Sequence, residues 1–312
     1  MFEIIKYSES KHDEWNDFVE NAKNSTFLFK REYMEYHSDR FIDMSLMVYY
    51  KEKLFALLPA NIVDDTLYSH QGLTYGGLIL NKKATVNEVM LSFQYINTYL
   101  KSIGIKKVCY KTIPHIYHQI PSEEDLYVLY RLDAKLIARN ISSTIYQLDK
   151  IRFSELRRRC VKKAKQNHVD ICSSDDFASF WEILTSNLAT KYSTKPVHEL
   201  NEIELLHSRF PENIKLYMAY QDGNPIAGIV VYLTKNVCHV QYISSSHEGK
   251  MCGALDLLFD KLINEIYLDY PYFDFGQSTE QKGMYLNENL IFQKEGFGGR
   301  GVVYDMYEYE IM

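Results

Sequence analysis

The 312-residue sequence lacks the features of an exported or membrane-spanning chain. Its strongest apolar run, residues 226–233, has about eight residues, whereas a transmembrane helix needs about 20. The first residues contain no basic segment followed by an apolar core, so we expect no signal peptide. The five cysteines are scattered and include no CxxC pair, which is typical of a reducing compartment. We therefore predict a cytoplasmic protein without a transmembrane segment.

The charge balance is slightly acidic. Lys and Arg number 35 and Asp and Glu 41, a net charge of −6, so we expect no attraction of the whole protein to DNA. Tryptophan is scarce, with 2 residues, but tyrosine is abundant, with 26. So much aromatic surface argues against disorder.

The second half of the sequence repeats the pattern of the first. Each half predicts a helix, two apolar runs around a polar turn, a strand, a second helix and a further strand. The Asp222-Gly223-Asn224 turn indicates a hairpin, and Thr85 with Glu88 indicates a capping box. In the first half these elements are 12–22, 46–61, 66–74, 86–103 and 107–111; in the second they are 175–188, 216–231, 237–244, 253–267 and 272–275. A period of about 170 residues indicates a duplication rather than a solenoid. We predict two α/β domains, residues 1–148 and 149–312.

A basic segment lies between the two copies. Phe153, Leu156, Cys160 and Ala164 have helical spacing, so residues 152–166 are predicted to form an amphipathic helix. Seven basic residues and one acidic residue give this segment a net charge of +6 within an acidic chain. Phosphate groups would be attracted to such a face, and Arg157, Arg158 and Lys162 are its candidate substrate-binding residues.

The repeated unit resembles the core of the GNAT acyltransferase fold. Two such units joined by a basic helix resemble the Fem peptidoglycan aminoacyl transferases and the broader FemAB-like acyltransferases. The closing residues, 274–276 and 287–299, are similar to that family's final pattern, in which a glycine-led loop precedes a short strand. The resemblance implies an α/β fold of two tandem GNAT-like domains with mixed β-sheets, the first being a degenerate copy.

The resemblance also implies a function. An acyl or aminoacyl group would be transferred to an amine on a small molecule, an amino-sugar or a cell-envelope precursor, forming an amide. From a different class, a non-catalytic protein that binds an anionic partner on a decayed GNAT fold stays open.

The loop that follows residues 237–244 does not decide which molecule donates the acyl group. GNAT enzymes that use coenzyme A bind its pyrophosphate with backbone N–H groups of a glycine-rich loop at a helix N-terminus. Here Lys250 and Gly253 keep the spacing, but Leu255 replaces the last small residue. Ser244, His247, Lys250 and Gly253 are the candidate donor-binding residues, and both acyl-CoA and aminoacyl-tRNA are compatible donors.

The candidate catalytic residues lie near the end of the chain. The resemblance makes Lys294 a functional lysine, whose ammonium would stabilise an oxyanion or a phosphate. Asp274 and Glu280 lie at or after the last apolar strand of the second copy, and a carboxylate there could accept a proton from an attacking amine. Gln277, in the same stretch, and Tyr242, on the preceding strand, are candidate substrate-binding residues. We predict no metal, because the His115 and His118 pair has no obvious third ligand.

Overall fold

A computed structural model of the chain describes residues 1–192 and 194–311. The strands, numbered β1 to β17 in chain order, are Phe2–Lys6, Ile42–Asp43, Leu46–Tyr50, Lys53–Leu58, Asn61–Val63, Thr66–Tyr68, Ile79–Leu80, Lys107–Lys111, Lys135–Tyr146, Asp170–Ser174, Ile214–Gln221, Asn224–Leu233, Val237–Ser245, Tyr272–Gln277, Thr279–Glu280, Tyr285–Leu286 and Arg300–Glu310. The α-helices, α1 to α10, are His12–Asn21, Arg31–Met34, Val86–Ser102, Glu124–Arg131, Glu155–Gln166, Phe177–Tyr192, Leu200–Arg209, His247–Cys252, Ala254–Lys261 and Glu288–Gly296. Short 3-10 helices are Glu9–Lys11, Phe27–Phe29, Glu35–His37, His115–Tyr117, Gln147–Asp149 and Gln281–Gly283, and a π-helical turn, Leu262–Ile266, follows α9.

The chain divides into two compact units that do not follow chain order. Unit 1 consists of Met1–Ile141, Thr279–Tyr285 and Val303–Met312. Unit 2 consists of Ser142–Ser278 and Leu286–Val302. The predicted division into residues 1–148 and 149–312 describes the repeated halves of the sequence and stays a prediction. The compact units differ from this division because the end of the chain, residues 303–312, belongs to unit 1, where β17 pairs with β8.

Unit 1 contains two groups of paired strands. One has the order β1-β3-β4-β7, and its pairs are antiparallel. In the other, β8 pairs with β6 in parallel and with β17 antiparallel. The predicted capping box is present, since the Thr85 side chain and Glu88 cap α3 reciprocally. Val89, Phe93 and Ile96 of this helix are buried in the core of the unit.

Unit 2 is built on strands in the order β10-β11-β12-β13-β14, followed by Ser142–Tyr146 of β9. The pairs are antiparallel except β13 with β14, which is parallel. The predicted hairpin turn joins β11 to β12, and Asp222 and Gly223 both have positive φ, 49° and 78°. Primed turns of this kind match the twist of the strands they connect. The mixed α/β architecture predicted from the sequence is confirmed.

The sheet of unit 2 has helices on both faces. Ile229 and Val231 of β12 belong to the core cluster that includes residues of α5 and α9. Gly228 faces the opposite way: a β carbon there would lie 2.4 Å from the Phe180 ring of α6. Because side chains alternate along a strand, His239 of β13 and Asp274 of β14, which flank core-cluster residues, lie on the opposite face.

The basic segment forms a helix, as predicted. Helix α5 begins after Ser154, whose side chain caps it by accepting from the Arg157 backbone N–H. Val161 and Ala164 are buried. The helix is part of unit 2, and a role as the connection between two domains stays a prediction.

The closing segment differs from the prediction. The resemblance predicts a short strand within residues 287–299, but residues 288–296 form α10. Asn287 explains the difference, because its side chain accepts a hydrogen bond from the Leu290 backbone N–H and so caps a helix.

Candidate functional site

The candidate site lies where β13 and β14 part. The two strands pair in parallel at Val237, Cys238 and His239, and the last of these lies opposite Asp274. Within the described residues, no further pairing joins them, although β13 continues to Ser245 and β14 to Gln277. We call the opening beyond the His239–Asp274 pair the notch.

Both strands are irregular at the notch. The register of β13 against β12 shifts between Val240 and Tyr242, so Gln241 is an extra residue. The register of β14 against β9 shifts between Asp274 and Gln277. Within that second bulge, Gly276 has a φ of 75°, a conformation that glycine adopts without strain. Bulges redirect backbone groups away from strand pairing, so the notch has backbone groups of β13 and β14 on its two sides.

A buried Asp–His pair stands at the vertex of the notch. Asp274 is fully buried, and its Oδ2 lies 2.8 Å from Nδ1 of His239, which is 11% exposed. Its other oxygen accepts hydrogen bonds from the hydroxyls of Ser142 and Thr144. Burial raises the pKa of Asp274, but the hydrogen bonds and charge of its partners, His239 foremost, lower it by more. The pKa of Asp274 therefore lies below its usual value. The carboxylate is therefore ionised at neutral pH.

The sequence predicts a role for Asp274 but not for His239. Cys238, which precedes His239 on β13, points to the other face and belongs to the core cluster. The signal that could have identified His239 was present in the alignment of the two predicted strands. A parallel pairing that starts at Val237 and Tyr272 places His239 beside Asp274.

Lys294 is buried rather than exposed at the end of a strand. It lies on α10, is 5% exposed, and its Nζ donates hydrogen bonds to the carbonyl oxygens of Gly276 and Gln277, at 2.7 and 2.8 Å. Burial lowers its pKa to about 8, although the charge of Asp274 acts in the opposite direction. The structure thus brings Lys294, Gln277 and Asp274 together around the end of β14. Two of the three ammonium N–H groups of Lys294 thus donate to backbone carbonyls at the end of β14.

The predicted donor loop is largely helical. His247 and Lys250 are exposed on α8, and Gly253, with a φ of 86°, ends that helix. Helix α6 engages two of the predicted residues. The Ser244 hydroxyl donates to the Ile183 carbonyl and accepts from the Asn187 side chain, whose Oδ1 accepts from Lys250 Nζ at 2.8 Å.

The first turn of α8 carries an acidic side chain. Glu248 follows the capping residue Ser246, and the pKa of its carboxyl is lowered by hydrogen bonds from its own backbone N–H and from the Ser246 hydroxyl. A negative charge thus lies at the helix start, where a pyrophosphate-binding loop would present free N–H groups.

The three basic candidates on α5 have different surroundings. Arg157 is mostly buried, forms a 2.9 Å salt bridge with Asp256 and lies over the Phe297 ring. The guanidinium of Arg157 is thus engaged in an ion pair within unit 2, and its role in substrate binding stays a prediction. Arg158 and Lys162 are exposed, and neither forms a salt bridge with a carboxylate in the described parts of the chain. They lie one turn apart on the same helix face.

Tyr242 and Glu280 are placed differently. Tyr242 lies on the α6 face, its hydroxyl is hydrogen-bonded to His198, and burial raises its pKa to about 12. Glu280 is exposed on β15 and belongs to unit 1, whereas Asp274, Lys294 and His239 belong to unit 2. Its catalytic role stays a prediction.

Unit 1 contains the same parallel arrangement with different residues. Strands β6 and β8 pair from Thr66 opposite Lys107 to Tyr68 opposite Cys109. By register, Tyr68 and Cys109 occupy the positions of His239 and Asp274. Burial raises the pKa of the Cys109 thiol to about 11, so this pair offers neither an ionised acid nor an imidazole.

Across residues 1–192 and 194–311, no cluster of three or more His, Cys, Asp or Glu side chains has a geometry for holding a metal ion. Among the described helices, none is both long enough and apolar enough to cross a bilayer.

Comparison with known proteins identifies the fold. Residues 152–282 match the acetyltransferase (GNAT) domain family. No curated protein sequence matches the chain. The crystal structure of FemX is similar to this chain with a TM-score of 0.69 at 10% identity, covering 97% of this chain and 96% of FemX.

Two further structures are similar over nearly the whole chain. The C-terminal domain of a protein described as a lysylphosphatidylglycerol synthetase, from Agrobacterium fabrum, has a TM-score of 0.61 at 10% identity and covers 96% of this chain and 91% of its own. A tandem GNAT protein from the clavulanic acid biosynthesis pathway has a TM-score of 0.54 at 10% identity and covers 100% and 99%. The predicted resemblance is confirmed: the chain has the fold of FemX and of tandem GNAT proteins, and its residues 152–282 form the part that matches the GNAT acetyltransferase domain.

Proposed function

We propose that the protein transfers an acyl or aminoacyl group to an amine and forms an amide. The observation that carries this proposal is the notch in unit 2, inside the segment that matches the GNAT domain. Backbone N–H groups released by the Gln241 bulge would bind the carbonyl oxygen of the donor and stabilise the oxyanion that develops during attack. The ionised Asp274 and the buried Lys294 lie beside the same opening.

Aminoacyl-tRNA is the donor that the surroundings of the notch favour over acyl-CoA. Glu248 places a carboxylate at the start of α8, and that charge would repel the pyrophosphate of coenzyme A. The exposed Arg158 and Lys162 of α5 offer a cationic surface on the same unit, suited to the phosphates of a nucleic acid.

The acceptor class follows from the fold relatives and is part of the proposal. FemX and the protein described as a lysylphosphatidylglycerol synthetase support an acceptor from the cell envelope, such as an amino-sugar or an envelope precursor. An amine is the expected nucleophile, because it attacks an ester or thioester without a metal and gives a stable amide.

A donor and acceptor panel tests this function. The purified protein is incubated with alanyl-tRNA or acetyl-CoA and with glucosamine, a nucleotide-linked amino-sugar or a lysine-containing peptide, and products are identified by mass spectrometry. We expect an amide from alanyl-tRNA with at least one amine. Binding of charged tRNA without transfer to any amine would contradict the proposal and favour the non-catalytic binding protein.

Salt dependence tests the nucleic-acid surface separately. Replacing Arg158 and Lys162 by Gln should reduce the slope of log affinity for tRNA against log salt by about 1 to 2, since each phosphate contact contributes nearly one. The matched control replaces the exposed Lys82 and Lys83 of unit 1 by Gln. An equal change in both variants would show that net charge alone, rather than α5, determines the binding.

A further inference from the structure

The His239–Asp274 pair is costly for a sheet to hold, and the equivalent strand pairing of unit 1 forms without such a pair. Asp274 is fully buried, and a buried carboxylate is destabilising unless donors surround it. The donors here include the imidazole of His239 and the hydroxyls of Ser142 and Thr144. Unit 1 builds the same parallel pairing with Tyr68 and Cys109 at these positions.

The hydrogen bonds determine the protonation of the imidazole. An ionised carboxylate only accepts hydrogen bonds, so the contact of 2.8 Å requires a proton on Nδ1 of His239. In the neutral ring, Nε2 then carries the lone pair and is the basic nitrogen. Asp274 would also stabilise the imidazolium that forms when Nε2 takes up a proton.

The ring lies at the place where the acyl group would react. His239 is the last residue of β13 that pairs with β14, and its side chain is 11% exposed. It borders Gly276 of the bulge in β14: a β carbon at residue 276 would lie 3.5 Å from Cε1 and 4.0 Å from Nε2 of His239. The absence of a side chain at Gly276 therefore leaves room beside the imidazole edge.

We propose that His239 is the general base of the transfer and that Asp274 is its positioning residue, an inference that rests on the proposed function. The amine nitrogen attacks the acyl carbon and the new C–N bond forms. Nε2 of His239 takes the proton that the nitrogen loses. As the bond from the acyl carbon to the donor oxygen or sulfur breaks, the imidazolium returns that proton to the leaving atom, so that an amide and a free hydroxyl or thiol result.

Kinetics of His239→Gln and His239→Gly test the role, with alanyl-tRNA and acetyl-CoA as donors and glucosamine as acceptor. We expect kcat to fall about a hundredfold or more in both variants, with donor affinity close to that of the wild type. The melting temperature should fall more in His239→Gly than in His239→Gln, because glycine leaves Asp274 without this hydrogen-bond donor. Added imidazole should restore part of the activity of His239→Gly in proportion to its neutral form. A purely structural role would give no rescue. If His239→Gly does not fold, rescue is tested in His239→Ala.

A second measurement does not depend on turnover. Nitrogen-15 NMR of the histidines, with His239 assigned by its loss in His239→Gln, should show a proton on Nδ1 and none on Nε2 in the neutral ring. The opposite tautomer would overturn the inference whatever the activity. Wild-type transfer together with a variant that keeps more than a third of kcat would overturn this inference alone. An inactive wild type would overturn the proposed function as well.

Discussion

Arg157 of α5 and Asp256 of α9 form a salt bridge of 2.9 Å, and both side chains are largely buried. The guanidinium also lies 5.5 Å from the centre of the Phe297 ring. The most basic helix of the chain is thus attached to unit 2 through one of its own arginines. Arg157 therefore holds α5 in place, whereas its neighbours Arg158 and Lys162 face solvent.

The first prediction concerns Arg157 and its neighbour. Replacing Arg157 by Gln leaves Asp256 buried without its partner, so the free energy of unfolding should fall by about 3 kcal/mol. The exposed Arg158→Gln should change it by less than about 0.5 kcal/mol. Urea unfolding measures both. Similar losses in the two variants would contradict the distinction, and a weaker affinity for tRNA should appear for Arg158→Gln.

The second prediction concerns Lys294 and pH. Burial lowers the pKa of Lys294 to about 8 in the folded protein, below the value of 10.5 in an unfolded chain. Between these values the unfolded chain binds more protons, so this group contributes stability that increases as pH rises from about 8.

The variant Lys294→Met removes that contribution. The unfolding free energy of the wild type relative to the variant should therefore rise with pH between 8 and 10, with a slope of at most about 1.4 kcal/mol per unit. The variant should also be less stable at every pH, because the carbonyls of Gly276 and Gln277 lose their donor. A pH-independent difference between the two proteins would show that Lys294 titrates normally.

The third prediction separates two glycines of positive φ. A β carbon at Gly253 would lie 2.7 Å from the Cys160 carbonyl oxygen, whereas one at Gly223 would meet nothing within 4 Å. Gly223→Ala should cost about 1 kcal/mol for its backbone conformation alone. Gly253→Ala adds a contact with backbone and should cost about 3 kcal/mol. Equal losses on thermal unfolding would mean that α8 moves freely away from α5.

The fourth prediction concerns two buried histidines of unit 1. Burial lowers the pKa of His70 to about 3 and also lowers the pKa of His37, and their rings lie 5.4 Å apart. Below about pH 6.5 the unfolded chain takes up protons that these rings do not accept in the fold, so stability is lost as pH falls towards 3.

The variant His70→Asn should reduce this loss. Asparagine tolerates the positive φ of 63° at this position better than most residues, so the variant is expected to fold. Its unfolding free energy should vary less between pH 7 and pH 4 than that of the wild type. An unchanged pH profile, followed by chemical denaturation, would contradict the assignment to His70.

Local signals in the sequence predicted the local structure. The Asp222-Gly223 turn and the Thr85–Glu88 capping box each depend on residues at most three positions apart, and both are present. Hydrophobic spacing predicted α1, α3 and α6, but it did not predict β1, β9 or β17. At α10 the resemblance suggested a strand, and the cap at Asn287, a local signal, indicated a helix instead.

Contacts between distant residues could not be derived in the same way. His239 and Asp274 are 35 positions apart, and their contact depends on the register of two strands. The burial of Lys294 and the pairing of Arg157 with Asp256 depend on how helices pack on the sheet. Spacing along one helix or strand contains no information about these neighbours.

The composition of the two units has a consequence for synthesis on the ribosome. Strand β8 of unit 1 pairs with β17, from Lys107 opposite Glu310 to Lys111 opposite Met306. Unit 2 likewise includes residues 286–302. Neither unit is complete when the first half of the chain has emerged, so the two copies cannot fold one after the other as they are translated. Unit 2 needs residues 286–302 and unit 1 needs residues 303–312, so nascent chains are expected to need protection of the exposed edge of β8 until β17 has emerged.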